Sequence, residues 1–172
     1  MRLFLAIKIP DQIQDKISNL YIPEEQGIRW TPAHQLHLTL IFIGDQPQEK
    51  IDEISETIAE IEFNTMPINL SKTGFFKSGI YWIGVEETNA LMNLQKKLYR
   101  AIANLGIHIE NRRFKPHITI ARDKGISAPL AQSIERKSLG FAASFTASSF
   151  ELMSSYLKPN GPEYQTEVEF IP

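Results

Sequence analysis

Two tetrapeptides in this chain repeat one pattern of residue types, His37-Leu38-Thr39-Leu40 and His117-Ile118-Thr119-Ile120. In a strand, successive side chains point to opposite faces, so each histidine shares a face with its threonine while the aliphatic residues face the other way. Two imidazoles brought to one site can act as a proton acceptor and a proton donor. The pattern therefore favours acid–base chemistry in a cleft. The simpler alternative is two half-buried strands whose exposed faces happen to carry His and Thr.

Composition narrows the classes of protein that fit. A length of 172 residues suits one domain with a sizeable core, and 42% hydrophobic with 22% charged residues is typical of globular chains. Because the chain has no cysteine, disulfide frameworks, cysteine-based zinc sites and thiol nucleophiles are excluded. No apolar segment has the length of a signal peptide or a membrane span, so we expect a cytoplasmic protein without membrane contact.

The charge of the chain is unevenly distributed. A net charge of −2 gives no general attraction for nucleic acid, so such contacts should be local. The segment from Arg112 to Lys124 holds five basic residues and one acidic residue around His117. A charge run can be a solvated surface and nothing more. Its position at a candidate catalytic histidine favours phosphate binding.

Apolar periodicity predicts strands and helices in a repeated order. A strand, a helix, a loop, a His-x-Thr strand and a helix occur twice, with Ala6 31 residues before His37 and Gly84 33 residues before His117. This indicates an internal duplication of roughly 80 residues, so we expect residues 1–172 to form one domain of two pseudo-symmetric lobes. Thr88 and Ser127 are predicted helix caps. Besides the second His-x-Thr strand, we predict strands at 3–9, 36–43, 66–76, 80–85, 141–157 and 164–171, and helices after Asp11, at 48–61, after Thr88 and at about 129–139.

Four segments carry a family likeness: Arg2 to Ile7, Trp30 through Gly44, Phe114 to Arg122, and Ser155 to Leu157 leading to Gly161, Pro162 and Tyr164. Together they resemble the 2H phosphoesterase superfamily, which is named for two His-x-Thr/Ser motifs flanked by hydrophobic residues. More narrowly, the chain is similar to the RNA 2',3'-cyclic phosphodiesterase family, historically called bacterial 2'-5' RNA ligase. The segments span nearly the whole chain in the family's order. Ile41-Phe42-Ile43 stands where Phe-Leu is more usual.

This resemblance implies a bilobal α+β fold in which two antiparallel β-sheets face a central groove, with helices outside. It implies metal-independent hydrolysis of an RNA terminal 2',3'-cyclic phosphate to a 2'-phosphate, without a cofactor, and joining of RNA ends through a 2'-5' linkage. It assigns His37 as the acid that protonates the 3'-oxygen and His117 as the base or water-positioning group. Arg122 matches the family's basic residue after the second motif.

Three further residues are expected to bind the phosphate oxygens. Thr39 and Thr119 share a face with their histidines, so their hydroxyls can donate to non-bridging oxygens, although threonine is also simply a good strand former. A guanidinium from Arg122 would stabilise developing charge. Ideal strand alternation places Arg122 opposite His117, so Arg122 serves only if the strand ends or bulges near Ala121. Lys115 has the correct alternation but precedes Pro116, and Arg122 is the preferred candidate.

The remaining histidines and two aromatic residues are not assigned a role. His34 and His37 form an H-x-x-H pair, which is a possible pair of metal ligands. An extended chain would point them to opposite faces, however, and no carboxylate cluster accompanies them, so a metal site is not expected. His108 is expected to be solvated. Trp30 and Phe76 could stack on a nucleobase, but core packing is the preferred interpretation.

Two other functions remain open from the sequence. The same histidines would serve a cyclic phosphodiesterase acting on a small nucleotide-derived substrate. A non-catalytic module that binds RNA ends is the second alternative, although binding alone needs no paired acid and base. The expected partners are RNA ends or nucleotides bearing a 2',3'-cyclic phosphate, and we expect a monomer.

Overall fold

The computed structural model describes every residue from Met1 to Pro172 and contains nine strands, four α-helices and one 3-10 helix. The strands are β1 (Arg2–Lys8), β2 (Arg29–Trp30), β3 (His37–Asp45), β4 (Met66–Phe76), β5 (Ile80–Val85), β6 (His117–Arg122), β7 (Ala143–Ala147), β8 (Phe150–Lys158) and β9 (Gly161–Phe170). The α-helices are α1 (Asp11–Ser18), α2 (Lys50–Ala59), α3 (Asn89–Asn104) and α4 (Ala128–Lys137), and the 3-10 helix spans Ala33–Gln35. None of the four α-helices combines the length and the apolar composition that a membrane span requires.

Local sequence signals explain where several elements begin. The Thr88 hydroxyl accepts a hydrogen bond from the Leu91 amide at 3.3 Å, and the Ser127 hydroxyl accepts one from the Leu130 amide at 3.3 Å. Both bonds satisfy amides that the first turn of a helix leaves free, so both predicted caps are confirmed. The turn between β4 and β5 contains Gly79 at φ +102°, a conformation that favours glycine.

The strands form one antiparallel sheet in the order β7-β4-β5-β6-β3-β1-β8-β9, with β2 paired to β6. We expected two sheets facing a groove, and this is corrected by the pairing of β3 with β6. That pairing is confined to Leu38 and Ile118. It nevertheless joins one half of the sheet, β7-β4-β5-β6, to the other half, β3-β1-β8-β9. Both side chains are fully buried, so apolar contact reinforces the junction.

The strand pairs on the two sides of this junction follow the same register. On each side, the neighbouring strand runs antiparallel to the His-x-Thr strand and shifts register just after the threonine. The β1–β3 pair shifts register once more, between Leu3 and Phe4. The partners are Lys8 with His37, Ile7 with Leu38, Ala6 with Thr39, Leu5 with Ile41 and Phe4 with Phe42, and likewise Gly84 with His117, Ile83 with Ile118, Trp82 with Thr119, Tyr81 with Ala121 and Ile80 with Arg122.

One face of the sheet carries the core. Buried residues of all four helices join Leu38, Leu40, Ile118 and Ile120 in one hydrophobic cluster, as expected for helices outside the sheet. The opposite face carries a separate small cluster of Phe4, Ala6 and Met153, with the Tyr164 ring packed against it. The helices therefore leave the second face open for a site.

The segment at residues 141–157 was predicted as one strand, and this was wrong. It divides into β7, which pairs with β4, and β8, which pairs with β1. Because β4 and β1 lie in different halves of the sheet, the chain passes from one half to the other at Ser148 and Ser149, which belong to no strand. Local periodicity carries no information about this crossing, because it does not identify the partner of a strand.

Candidate active site

Alternation along β3 and β6 separates the polar from the apolar residues of both motifs. Leu38 and Ile118 are fully buried in the core, whereas their histidine and threonine neighbours are only partly buried. The histidines and threonines therefore lie on the face that the helices leave open.

The single pairing of Leu38 with Ile118 sets the mutual positions of these residues. In antiparallel strands, the residues on either side of a pair are also opposite each other, so His37 lies opposite Thr119 and Thr39 lies opposite His117. Directly opposite residues have Cα atoms about 4.5–5.5 Å apart. The two histidines occupy one diagonal of a four-residue array, and the two threonines occupy the other.

Each imidazole is held by a hydrogen bond to the main chain. His37 Nδ1 lies 2.7 Å from the carbonyl oxygen of Gln35, and His117 Nδ1 lies 2.7 Å from the carbonyl oxygen of Lys115. A carbonyl oxygen has no proton to give, so each Nδ1 is the donor and carries the hydrogen. When the ring is neutral, its Nε2 can then accept a proton, and when the ring is charged, its Nε2 can donate one.

Aromatic rings pack around both histidines. The His37 ring lies 5.2 Å from the Phe4 ring and 5.2 Å from the Tyr164 ring, centroid to centroid. The His117 ring lies 5.0 Å from the Phe76 ring in an edge-to-face arrangement and 6.4 Å from the Trp82 ring. These rings limit the rotation of the imidazoles and remove water from part of their surfaces.

The environment lowers the pKa of both histidines below the ordinary value of 6.5. Burial is the main cause, because it disfavours the charged imidazolium, and the main-chain hydrogen bond opposes it. The charge of Arg122 lowers the pKa of His37 and of His117 further, and the charge of His117 also lowers the pKa of His37. The free site therefore favours neutral imidazoles.

Arg122 reaches this site because β6 bulges. Tyr81 pairs with Ala121 but Trp82 pairs with Thr119, so Ile120 is an extra residue on β6. Ile120 and Ala121 are both fully buried, which breaks the alternation and leaves Arg122 exposed. The bulge that the role of Arg122 requires is thus present at the required position.

A matching bulge occurs in β3. Leu5 pairs with Ile41 but Ala6 pairs with Thr39, so Leu40 is the extra residue. Phe42 then occupies the position in β3 that Arg122 occupies in β6, and 66% of its surface is exposed. The Phe42 ring lies 6.4 Å from the Phe4 ring.

Lys115 and Phe76 also lie at the His117 side of the site. The Lys115 ammonium is 4.8 Å from the centre of the Trp82 ring and 5.4 Å from that of Phe76, a cation–π arrangement. Its charge contributes to lowering the pKa of His117. Core packing was the preferred interpretation of Phe76, and this is corrected because Phe76 contacts His117 on the open face.

Trp30 and the other histidines lie outside the four-residue array. Trp30 stacks on Tyr21 at 4.8 Å and packs against the core, as preferred from the sequence. His108 is exposed, as expected. The chain between His34 and His37 is not extended, because His34 lies in the 3-10 helix, and both side chains line one cavity. No group of three or more His, Asp or Glu side chains is placed to hold a metal ion.

A cavity of about 640 Å³ adjoins His37. The 3-10 helix, β2 and the turn between β8 and β9 form its walls, and His37 and Tyr164, whose rings are in contact, both line it. Three cationic side chains line it: Lys8, Arg29 and Lys158.

Sequence reasoning assigned no role to Phe4, Lys8, Arg29 or Trp82 and used Tyr164 only as part of a family segment. Strand alternation could have indicated two of them. Phe4, Ala6 and Lys8 lie on one face of β1, and Ala6 and Lys8 pair with Thr39 and His37 of the site. No local signal places Arg29 or Tyr164 beside His37, since both depend on strand pairings between distant segments.

Residues 9–158 match the family described as the 2'-5' RNA ligase superfamily. The chain is 35% identical to the RNA 2',3'-cyclic phosphodiesterase of Methanocaldococcus jannaschii, over 99% of this chain and 100% of the relative. It is 29% identical to the enzyme of that name from Archaeoglobus fulgidus, over 96% of this chain and 97% of the relative.

A solved structure shows the same fold. The crystal structure of Escherichia coli LigT in its apo form superposes with a TM-score of 0.82 at 27% identity, covering 99% of this chain and 96% of that one. A second structure of LigT contains 3'-AMP. The chain belongs to the 2'-5' RNA ligase superfamily, the 2H phosphoesterases.

Proposed function

We propose that this protein opens the 2',3'-cyclic phosphate at the end of an RNA strand by hydrolysis, leaving a 2'-phosphate and a 3'-hydroxyl. The observation that supports this best is the diagonal placement of two imidazoles, each with Nδ1 bound to a carbonyl and Nε2 free. Relatives of similar length carry the name RNA 2',3'-cyclic phosphodiesterase, which supports the same reaction.

In the proposed reaction, His117 Nε2 accepts a proton from water as the water oxygen attacks phosphorus. The bond between phosphorus and the 3'-oxygen breaks, and His37 Nε2 donates its proton to that oxygen. One bond to phosphorus forms and one breaks, and one proton moves at each histidine. The reaction needs no metal, because the two imidazoles carry out both proton transfers.

Thr39, Thr119 and Arg122 are proposed to bind the non-bridging oxygens. Each threonine lies opposite a histidine across the β3–β6 pairing, so its hydroxyl can donate to a phosphate held between the imidazoles. The interaction of the positively charged Arg122 guanidinium with these oxygens becomes more favourable as negative charge develops on them.

Ligation is the related proposal for the same site. If the 5'-hydroxyl of a second RNA strand replaces water, its oxygen forms the new bond to phosphorus while the 3'-oxygen leaves. The product is a 2'-5' linkage. A lower concentration of water near the phosphate favours this outcome over hydrolysis.

We also propose that the domain arose by duplication into two pseudo-symmetric lobes. Matching registers and matching bulges on the two sides of the Leu38–Ile118 pair support this. In that alignment Lys8, and not Ala6, corresponds to Gly84, because these two residues pair with the histidines. A monomeric state and a cytoplasmic location stay predictions from the sequence.

The test is a product analysis with purified protein. A short RNA ending in a 2',3'-cyclic phosphate is incubated with the protein, and phosphorus NMR distinguishes a 2'-phosphate product from a 3'-phosphate product. We expect only the 2'-phosphate. If the RNA is bound but recovered intact, the protein is a binding module; if only small cyclic nucleotides are opened, it is a phosphodiesterase of another substrate class.

A further inference from the structure

Two arginines lie directly opposite each other beside the histidines. Arg29 of β2 is the cross-strand partner of Arg122 of β6. Like charges directly opposite each other in a sheet are unfavourable. Neither arginine forms a salt bridge, since all six in the structure involve other cations. Anions close to both guanidinium groups would offset this repulsion.

The position of Arg29 is fixed by the turn between β8 and β9. Its guanidinium packs against Gly161, where a Cβ atom would lie 1.7 Å from Arg29 Nη2. The same turn is tied to the 3-10 helix by a hydrogen bond of 2.9 Å from Gln35 Nε2 to the carbonyl oxygen of Pro162. The backbone at Gly161 therefore holds the Arg29 side chain at the cavity wall.

The cavity beside His37 is positively charged. Lys8, Arg29 and Lys158 line it, and Glu163 is the one acidic residue in its wall. Lys158 Nζ lies 3.4 Å from Glu163, and Lys8 Nζ lies 3.1 Å from the buried carboxylate of Glu151, so Arg29 is the cation without a carboxylate partner. A volume of about 640 Å³ falls within the range of sites for organic ligands and exceeds the needs of one phosphate group.

Tyr164 connects this cavity to the catalytic histidines. Its ring packs edge-to-face on His37, and Tyr164 also lines the cavity. Arg29 lines the same cavity, and the charges of Arg122 and Arg29 act to lower the pKa of the Tyr164 phenol, which burial raises. A ligand can therefore extend from the histidines past Tyr164 towards Arg29.

We propose that this cavity is a second phosphate subsite in which Arg29, with Lys8 and Lys158, binds the phosphate on the 5'-oxygen of the terminal nucleotide. The inference rests on the proposed function and specifies its substrate: an RNA strand of at least two nucleotides, whose last phosphodiester occupies the subsite. A nucleoside 2',3'-cyclic phosphate has one phosphate and would leave Arg29 without a partner. Its turnover should accordingly be poorer.

The test compares three substrates by kcat/KM: cytidine 2',3'-cyclic phosphate, the dinucleotide CpC with a 2',3'-cyclic end, and that dinucleotide with an uncharged methylphosphonate linkage. We expect the natural dinucleotide to exceed both others by about tenfold or more, the effect of one charge-assisted contact. Cytidine 5'-phosphate 2',3'-cyclic phosphate is the fourth substrate. If its kcat/KM equals that of the natural dinucleotide, the requirement for an RNA strand is overturned.

A variant links the preference to Arg29. Arg29→Gln removes the charge but keeps a side chain against Gly161, and Arg100→Gln, on the exposed side of α3, is the matched control. We expect Arg29→Gln to reduce the ratio of kcat/KM between natural and methylphosphonate dinucleotides towards one, while the control keeps the ratio of the wild type. An unchanged ratio in Arg29→Gln overturns the proposal, as does an equal loss on all substrates.

Binding separates this proposal from the proposed function. The product-like dinucleotide with a 2'-phosphate and its methylphosphonate form are titrated calorimetrically into both variants. A tenfold difference in Kd that depends on Arg29 supports the subsite even if no cyclic phosphate is opened, in which case the proposed function fails alone. Hydrolysis without any preference at Arg29 leaves the function standing and overturns the subsite.

Discussion

Leu38 of β3 and Ile118 of β6 are cross-strand partners, and their pairing alone joins the two halves of the sheet. Each residue is preceded by a histidine and followed by a threonine. One apolar contact beneath the site therefore determines how the four polar residues above it face each other.

Leu38→Ala should reduce stability and activity together. Leu38 is fully buried, and removing a buried leucine side chain costs about 2–5 kcal/mol of unfolding free energy. Urea unfolding measures the loss, and turnover at low temperature measures the effect on the site. Phe42→Ala is the control, because most of the Phe42 surface is exposed; an equal loss of stability in both variants would contradict the importance of this junction.

His37→Ala and His117→Ala should each lower turnover by about a hundredfold or more, since a general acid or base contributes on the order of 10² to 10⁴. Both variants should stay folded, because neither residue belongs to the core. His108→Ala, at an exposed position outside both motifs, should keep normal turnover. Near-normal turnover in either site variant would exclude the role assigned to that residue.

The dependence on pH should be bell-shaped. Burial lowers the pKa of both histidines below 6.5, so the acid limb of kcat/KM, where the base becomes protonated, should lie below pH 6.5. A bound phosphate anion favours the imidazolium, so the alkaline limb of kcat should lie at higher pH than that of kcat/KM. Steady-state rates measured from pH 4 to 9 provide both profiles.

Residual activity of the single variants assigns the limbs. Loss of the alkaline limb in His37→Ala and of the acid limb in His117→Ala would agree with His37 as acid and His117 as base, and the reverse would exchange the roles. The limbs of the wild type belong to the coupled pair.

Stability should decrease on the acid side for the same reason. Below pH 6.5, the unfolded chain binds protons at these histidines that the folded chain, with its lower pKa values, does not bind. The unfolding free energy therefore falls as the pH is lowered from 6.5 towards the folded-state values and then stops changing from this cause. His37→Asn should show a smaller decrease in Tm over this range, and an identical decrease would mean that other groups cause it.

Hydrolysis should survive an excess of chelator. The proposed proton transfers use imidazoles, and no cluster of three His, Asp or Glu side chains adjoins them. Turnover is measured after dialysis against EDTA, with a zinc-dependent phosphodiesterase treated in parallel. Loss of activity that one metal restores would contradict the proposed mechanism.

The sequence predicted the parts of this protein that depend on local pattern. His-x-Thr alternation and the caps Thr88 and Ser127 are encoded within a few residues, and each appears in the structure. One sheet was mistaken for two, because the joining pair Leu38–Ile118 is a contact between segments 80 residues apart.

The position of Arg122 shows why the other parts of the site could not be predicted from the sequence. Simple alternation places it on the wrong face, and the bulge at Ile120 that corrects this exists only in relation to the partner strand β5. Arg29 and Tyr164 likewise join the site through pairings of β2 with β6 and of β8 with β9. Pairings of this kind are decided by the packing of the whole sheet.

The matching bulges in β3 and β6 have a consequence for the direction in which a substrate can lie. A site with two equivalent halves would accept the phosphate in two orientations related by a half-turn, and the acid and base roles of the two imidazoles would be exchanged between them. The bulges project residue 42 and residue 122 alike, yet one is an apolar ring and the other a guanidinium. A ligand with one charged and one uncharged end therefore meets different neighbours in the two orientations, and this difference of side chain favours one orientation over the other.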